Sequence, residues 1–140
     1  MLYCACWNNN QEIVQILLQH KTINVNLQNT IENTPFLCAC FRGGYENVMT
    51  MVQDARVNIN LDDDCGCSPL IWACLYGHTK IVKLLLSYGR KIDVHHKTTY
   101  YYLNLNMSST ALTPPKKKIK QKLYTLSTNI SMIQKKLRKC

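Results

Sequence analysis

The chain has 140 residues, 17 of them lysine or arginine against eight acidic ones, for a formal charge of +9. That length holds one small domain. No run reaches the roughly 18 apolar residues of a membrane span, and the start lacks the charged-then-apolar pattern of a secretory leader, so the expected compartment is the cytoplasm, with the nucleus second. Residues 1–96 carry seven basic and eight acidic side chains, whereas residues 97–140 carry ten basic and none acidic. The charge therefore belongs to a tail.

In chain order, residues 2–6 read as the middle of a short helix, followed by the polar turn Asn8-Asn9-Asn10-Gln11-Glu12 and a second apolar run, Ile13-Val14 with Leu17-Leu18. The hairpin and the hydroxyl-proline start that precede the later units are missing ahead of it. The unit is read as truncated and the chain as a fragment or shortened product, since stable arrays generally need three whole repeats. Residues 29–33 and 62–67 are turn-forming: their Asn and Asp side chains can bond their own following amides, and Gly66 takes positive φ without strain. Between them Thr34-Pro35 opens the second unit.

The third unit is the clearest. The hydroxyl of Ser68 can accept from a free first-turn amide, and Pro69 brings helical φ and no amide to leave unpaired. Leu70, Ile71, Ala73 and Cys74 form a small apolar face, Gly77-His78 ends it, and Thr79 is expected to cap a second helix. There Ile81, Val82, Leu84, Leu85 and Leu86 are too apolar for one exposed stripe, and Gly89 is the stop. Such a helix needs neighbours, and a shift of 34 finds them: Thr34-Pro35-Phe36 falls on Ser68-Pro69-Leu70, Ala39-Cys40 on Ala73-Cys74 and Gly43 on Gly77, while Ala5-Cys6 falls on Ala39-Cys40.

S-P-L-I-W-A with G-H-T-K-I-V-K-L-L-L-S-Y-G, and T-P-F-L-C-A with N-V-M-T-M-V, resemble the ankyrin repeat family. The likeness covers roughly the first hundred residues, with a unit about one residue longer than the usual 33; the extra residue is placed in the I-N-V-N and V-N-I-N links. It implies an all-α solenoid of helix-turn-helix repeats joined by hairpin-like loops: residues 1–97, divided into 1–28, 29–62 and 63–97, then a linker at 98–115 and a basic amphipathic tail at 116–140. Three departures stand out. Glu32 takes the place of the hairpin glycine kept at Gly66, Leu37 and Ile71 replace a histidine, and Asn47 replaces an apolar core residue, so the second unit is expected to be the looser one.

The resemblance also implies docking along the tips and the exposed side of the first helices. Carried over by position, the columns are Trp7, Phe41 and Leu75, beside Asn8, Arg42 and Tyr76; the tips add Thr30, Ile31, Asn33, Asp64, Cys65 and Cys67. Trp, Tyr and Arg often dominate binding energy. The alternative for Trp7, Phe41 and Leu75 is groove filling between helices and tips. His78, in the Gly-His turn, is expected to tie adjacent units together.

No catalytic, cofactor or metal site is read. Cys4 with Cys6 and Cys38 with Cys40 fall where the third unit has Trp72 and Cys74, which marks packing positions, and residues two apart on a helix point about 200° away from each other. Cys65-Gly-Cys67 is the one pair free to meet a metal or oxidant, and Asp62-Asp63-Asp64 lacks the alternation and closing glutamate of a calcium loop. No Ser or Cys nucleophile is matched with a histidine and an orienting group.

Past Lys97 the repeat pattern fails. Residues 107–115 read as a linker, Pro114-Pro115 excludes helix, and Lys116, Lys117, Lys118 and Lys120 resemble a short nuclear import signal. Ile119, Leu123, Leu126, Ile130, Ile133 and Leu137 then form a stripe at alternating spacings of four and three, a helix expected to fold on a partner. The principal reading is a module that holds an unidentified partner protein without catalysis. The alternatives are localisation by the tail, through an import carrier, an anionic membrane or non-specific nucleic-acid contact, and a non-functional fragment.

Overall fold

The computed structural model describes residues 1–92; the linker and tail read from the sequence lie outside the described residues. Six helices, α1 (Leu2–Trp7), α2 (Gln11–Gln19), α3 (Pro35–Arg42), α4 (Tyr45–Gln53), α5 (Pro69–Leu75) and α6 (Thr79–Ser87), follow one another with no strand among the described residues. The first helices α1, α3 and α5 pack in one row, the second helices α2, α4 and α6 in another, and each first helix packs on its own second. This is the all-α stack of helix pairs that the repeat pattern implies.

The hydroxyl-proline starts behave as expected. Thr34 Oγ1 accepts from the Leu37 amide at 3.0 Å and Ser68 Oγ from the Ile71 amide at 3.3 Å, with Pro35 and Pro69 in the first turn. Asn10 does the same for α2, its Oδ1 accepting from the Ile13 amide at 3.1 Å. The start of α6 differs from the sequence reading. Its N-cap is His78, with no side-chain cap, and Thr79 is already helical, its hydroxyl donating to the Gly77 carbonyl at 3.3 Å. The His78 ring is turned back instead toward the preceding unit, with Nε2 3.0 Å from the Phe41 carbonyl. It is the tie that the resemblance implied, and it needs Gly43: a Cβ there would stand 2.5 Å from His78 Cε1, at φ 76°.

The core runs through all three units. Phe36, Ala39, Cys40, Val48 and Met51 are fully buried in the middle one, joined by Leu2, Cys6 and Val14 on one side and Leu70, Ala73, Ile81 and Leu85 on the other. Burying one such large side chain stabilises the fold by about 1.5–3 kcal/mol. The packing role expected of the cysteines holds for Cys6, Cys38, Cys40 and Cys74, but Cys4 is exposed. Cys38 meets the Tyr3 side chain of α1, whereas Cys4 borders a shallow depression with Tyr3, Trp7 and Asn8. Burial pushes the Cys6 thiol up to about 12, Cys38 and Cys74 to about 11, and Cys40 well above its ordinary value.

The links between units carry two devices that recur at the repeat spacing. In each link an asparagine accepts from the amide two residues on, Asn24 from Asn26 and Asn58 from Asn60, both at 3.1 Å. The second is an arginine clamp. Arg56 donates to the carbonyls of Leu18 at 2.6 Å, His20 at 3.1 Å and Lys21 at 3.3 Å. One unit later Arg90 donates to those of Val52 and Asp54 at 3.4 Å and Val57 at 2.8 Å. Both guanidinium groups sit at the C-terminal end of the preceding second helix, where unpaired carbonyls concentrate negative potential. Arg56 is itself oriented by Asp54 at 2.6 Å, and that bond holds the Asp54 carboxyl below its usual range.

Two of the middle unit's departures have visible local consequences. Glu32 adopts φ 56°, the left-handed conformation that Gly66 takes at φ 71° in the next tip. Asn47 is fully buried; its Nδ2 donates to Asn9 Oδ1 at 3.1 Å, while its own Oδ1 has no hydrogen-bond partner.

Candidate functional site

Both hairpin tips are built by one residue that folds the turn around its own side chain. Asn29 Oδ1 accepts from the amides of Ile31 at 3.1 Å and Asn33 at 2.9 Å. At the equivalent place one unit later, Asp63 Oδ1 accepts from Cys65 at 3.0 Å and Cys67 at 2.8 Å. Asp63 does more, because its other oxygen accepts from the Trp72 indole at 2.7 Å. The tip is thereby fastened to α5, which sets how the loop stands over the first helices.

The exposed side of the first helices is aromatic. Tyr3 and Trp7 stack at 6.2 Å, Trp7 and Phe41 at 6.1 Å, and Phe41 meets the rings of Trp72 at 5.4 Å and Tyr76 at 4.7 Å edge-on. This ladder crosses all three units. Between it and the tips lies a groove of about 320 Å³ with Tyr3, Trp7, Phe41 and Trp72 on its floor and Ile31, Asn33, Asp63, Asp64 and Cys65 on its tip side. Arg42 lies on Trp7, its guanidinium carbon 4.9 Å from the centre of the ring and its Nε donating to the Trp7 carbonyl at 3.1 Å.

A family model for ankyrin repeats, in three copies, matches residues 1–98. The chain belongs to the ankyrin repeat family. Ankyrin repeats are protein–protein interaction modules and are typically non-catalytic. Comparison with curated proteins gave no match. No helix among the described residues is long and apolar enough to cross a membrane.

Of the positions that the ankyrin pattern marked, Trp7, Phe41, Ile31, Asn33, Asp64 and Cys65 line the one groove. Asn8 ends α1 beside Trp7 in a shallower depression, Thr30 is exposed at its tip, and Tyr76 is itself a ring of the ladder, edge-on to Phe41. Cys67 is buried, so the pair with Cys65 is not jointly open to a metal or oxidant; burial, with the tip carboxylates behind it, pushes its thiol up to about 12. Leu75 is not on the floor. In α1 the ladder uses Tyr3 and Trp7 and in α3 Phe41, 34 residues after Trp7, but in α5 it is Trp72 and Tyr76 that carry the rings. The shift of one residue moves the ladder into the neighbouring column, about 100° around the helix. The sequence reading took Trp72 for a packing position and overlooked Tyr3. Two aromatic side chains four apart, in each of two first helices, were the available signal.

Asp63, Asp64 and Cys65 bring ligand atoms within 4.8 Å of one another. The arrangement is that of the turn itself: the Asp63 oxygens are taken by two amides and an indole, and Cys65 Sγ donates to Asp64 Oδ1 at 2.8 Å.

Proposed function

We propose that the chain holds a partner protein by a segment laid in the groove between the hairpin tips and the aromatic ladder, without catalysing a reaction on it. The single observation behind this reading is that the groove joins residues of all three units, so that one extended segment meets Trp7, Phe41 and Trp72 in turn. Rigid aromatic side chains offer large contact area at small entropic cost, which is why they dominate interface energetics. His78, the histidine nearest the ladder, is engaged in a structural bond to Phe41 and has no nucleophile in its described contacts. Buried thiols used as apolar filler suit a reducing compartment, and we place the protein in the cytoplasm or nucleus.

The test is a peptide selection on the immobilised full chain, followed by binding of the enriched peptides to single variants. Ile31→Lys, at an exposed groove residue, is expected to weaken them at least tenfold, about 1.4 kcal/mol. Lys83→Ala, on the exposed side of α6, is expected to leave them unchanged. Peptides that ignore Ile31→Lys, or that lose affinity equally to both substitutions, would refute the groove.

A further inference from the structure

The tips that wall the groove are acidic. Glu32, Asp62, Asp63 and Asp64 supply four carboxylates, of which Asp63 and Asp64 line the groove, and residues 29–33 and 62–67 contain no cation. Asp64 and Glu32 are exposed. One ring of the floor already carries a cation, since Arg42 lies over Trp7. An aromatic floor with a carboxylate rim selects a basic segment with long aliphatic stems: the stems cover the rings, the charge sits over a ring face or reaches a carboxylate.

The same chain carries such a segment. Residues 116–122 contain five lysines and follow Pro114-Pro115 directly. No acidic residue accompanies them anywhere in residues 97–140. We propose that this lysine run, Lys116-Lys117-Lys118-Ile119-Lys120, docks in the groove of its own chain and competes there with the partner; the proposal rests on the reading of the groove as the partner site. Length permits it, since 24 residues from Ile92 to Lys116 reach at most about 80 Å, against three helix pairs each ~10 Å thick. Tethering supplies an effective concentration on the order of millimolar, so a weak, salt-sensitive contact suffices.

Both tryptophans of the chain, Trp7 and Trp72, stand on the groove floor, and their fluorescence reports its occupancy. Acrylamide quenching of the full chain is compared with that of a full-length variant in which Lys116, Lys117, Lys118 and Lys120 are all replaced by Ser. The variant is expected to be quenched roughly twofold more strongly, as lysine stems leave the indole faces. High salt should bring the natural chain to the same value, and dilution should not change it. A peptide of residues 113–122 should bind the variant at least about tenfold more tightly than the natural chain, whose groove is filled. Adding Asp64→Asn with Glu32→Gln should weaken that binding. Equal quenching of the two chains, equal peptide binding, or quenching that rises on dilution, which would put the tail of a second copy in the groove, overturns the proposal. If the selected peptides still depend on Ile31 in that case, the groove reading survives without the tail; if the tail docks while the selected peptides ignore Ile31, the partner reading falls instead.

Discussion

Removing the Asp63 side chain should cost the ankyrin stack a large part of its stability, although the residue lies in a loop. Asp63 is only 7 % exposed, and three donors converge on it: the Cys65 and Cys67 amides and the Trp72 indole. Each buried donor left unpaired costs about 1–3 kcal/mol. The tip lets some water in, so Asp63→Ala should cost about 3 kcal/mol in total. A folded region of this size is stable by about 5–14 kcal/mol, so the loss is readily measured. Asp63→Asn keeps an oxygen for the two amides but turns an NH2 group toward the indole N–H, and it should cost about half as much. Trp72→Phe removes the same single bond from the other side. In urea unfolding the order should be Asp63→Ala well above Asp63→Asn, and the double variant Asp63→Asn with Trp72→Phe should cost less than the sum of its parts, by about 1 kcal/mol. If Asp63→Ala costs under about 0.5 kcal/mol, or the two single changes simply add, the carboxylate is not the fastening between tip and floor.

Three further outcomes follow from local geometry. Glu32→Gly should raise stability by about 0.5–1 kcal/mol, because it removes a side chain from left-handed backbone at φ 56°, and Gly66→Ala should do the reverse; urea midpoints decide both. Asn47→Val should stabilise by about 1 kcal/mol by replacing a buried amide whose oxygen is unpaired, and a loss of similar size would show that its bond to Asn9 matters more. The buried thiols give a pH dependence of definite sign. Cys6 and Cys67 are raised to about 12, and Cys38 and Cys74 to about 11, from an ordinary value of 9.0, so the unfolded chain releases these protons first. The melting temperature should be unaffected by these thiols below pH 9 and fall as pH climbs from there toward 11–12. In the native chain at neutral pH, the exposed Cys4 should be alkylated well before any of the four.

Legibility followed how local the cause was. Ser68-Pro69 and Thr34-Pro35 announce helix starts because the cap and the missing amide are one step apart in sequence, and Gly77 and Gly43 announce exits because positive φ is nearly theirs alone. The middle unit's two oddities, Glu32 and Asn47, were visible as departures from the repeat. What was not legible depends on direction. A shift of one position turns a side chain by about 100°, which is how Trp72 and Tyr76, rather than Leu75, came to carry the ladder through α5. Capping by Thr79 failed for a related reason: His78 beside it is committed to Phe41 in the preceding unit, a contact that follows from the stack and not from the local sequence. Arg56 and Arg90 are themselves 34 residues apart, but a recurring arginine at a link does not say which carbonyls lie within its reach.

The ladder serves two ends, and this decides which substitutions can separate binding from folding. Phe41 contacts Trp7, Trp72 and Tyr76 across two unit boundaries, and its carbonyl holds His78. Loss of binding in Phe41→Ala would therefore say little, since the boundary itself is weakened. Trp7 is 42 % exposed and Ile31 50 % exposed, and both line the groove. Trp7 still stacks on Phe41 and supports Arg42, whereas Ile31 stands on a tip held through main-chain groups, by Asn29 Oδ1 on two amides and by Gln28 Nε2 on the Glu32 carbonyl. Changing the Ile31 side chain leaves every one of those bonds in place. If Ile31→Lys abolishes peptide binding while the urea midpoint stays where it was, the effect belongs to the surface; if the midpoint falls in step with affinity, tip and stack are one cooperative unit, and the groove must be probed through Asp64 instead.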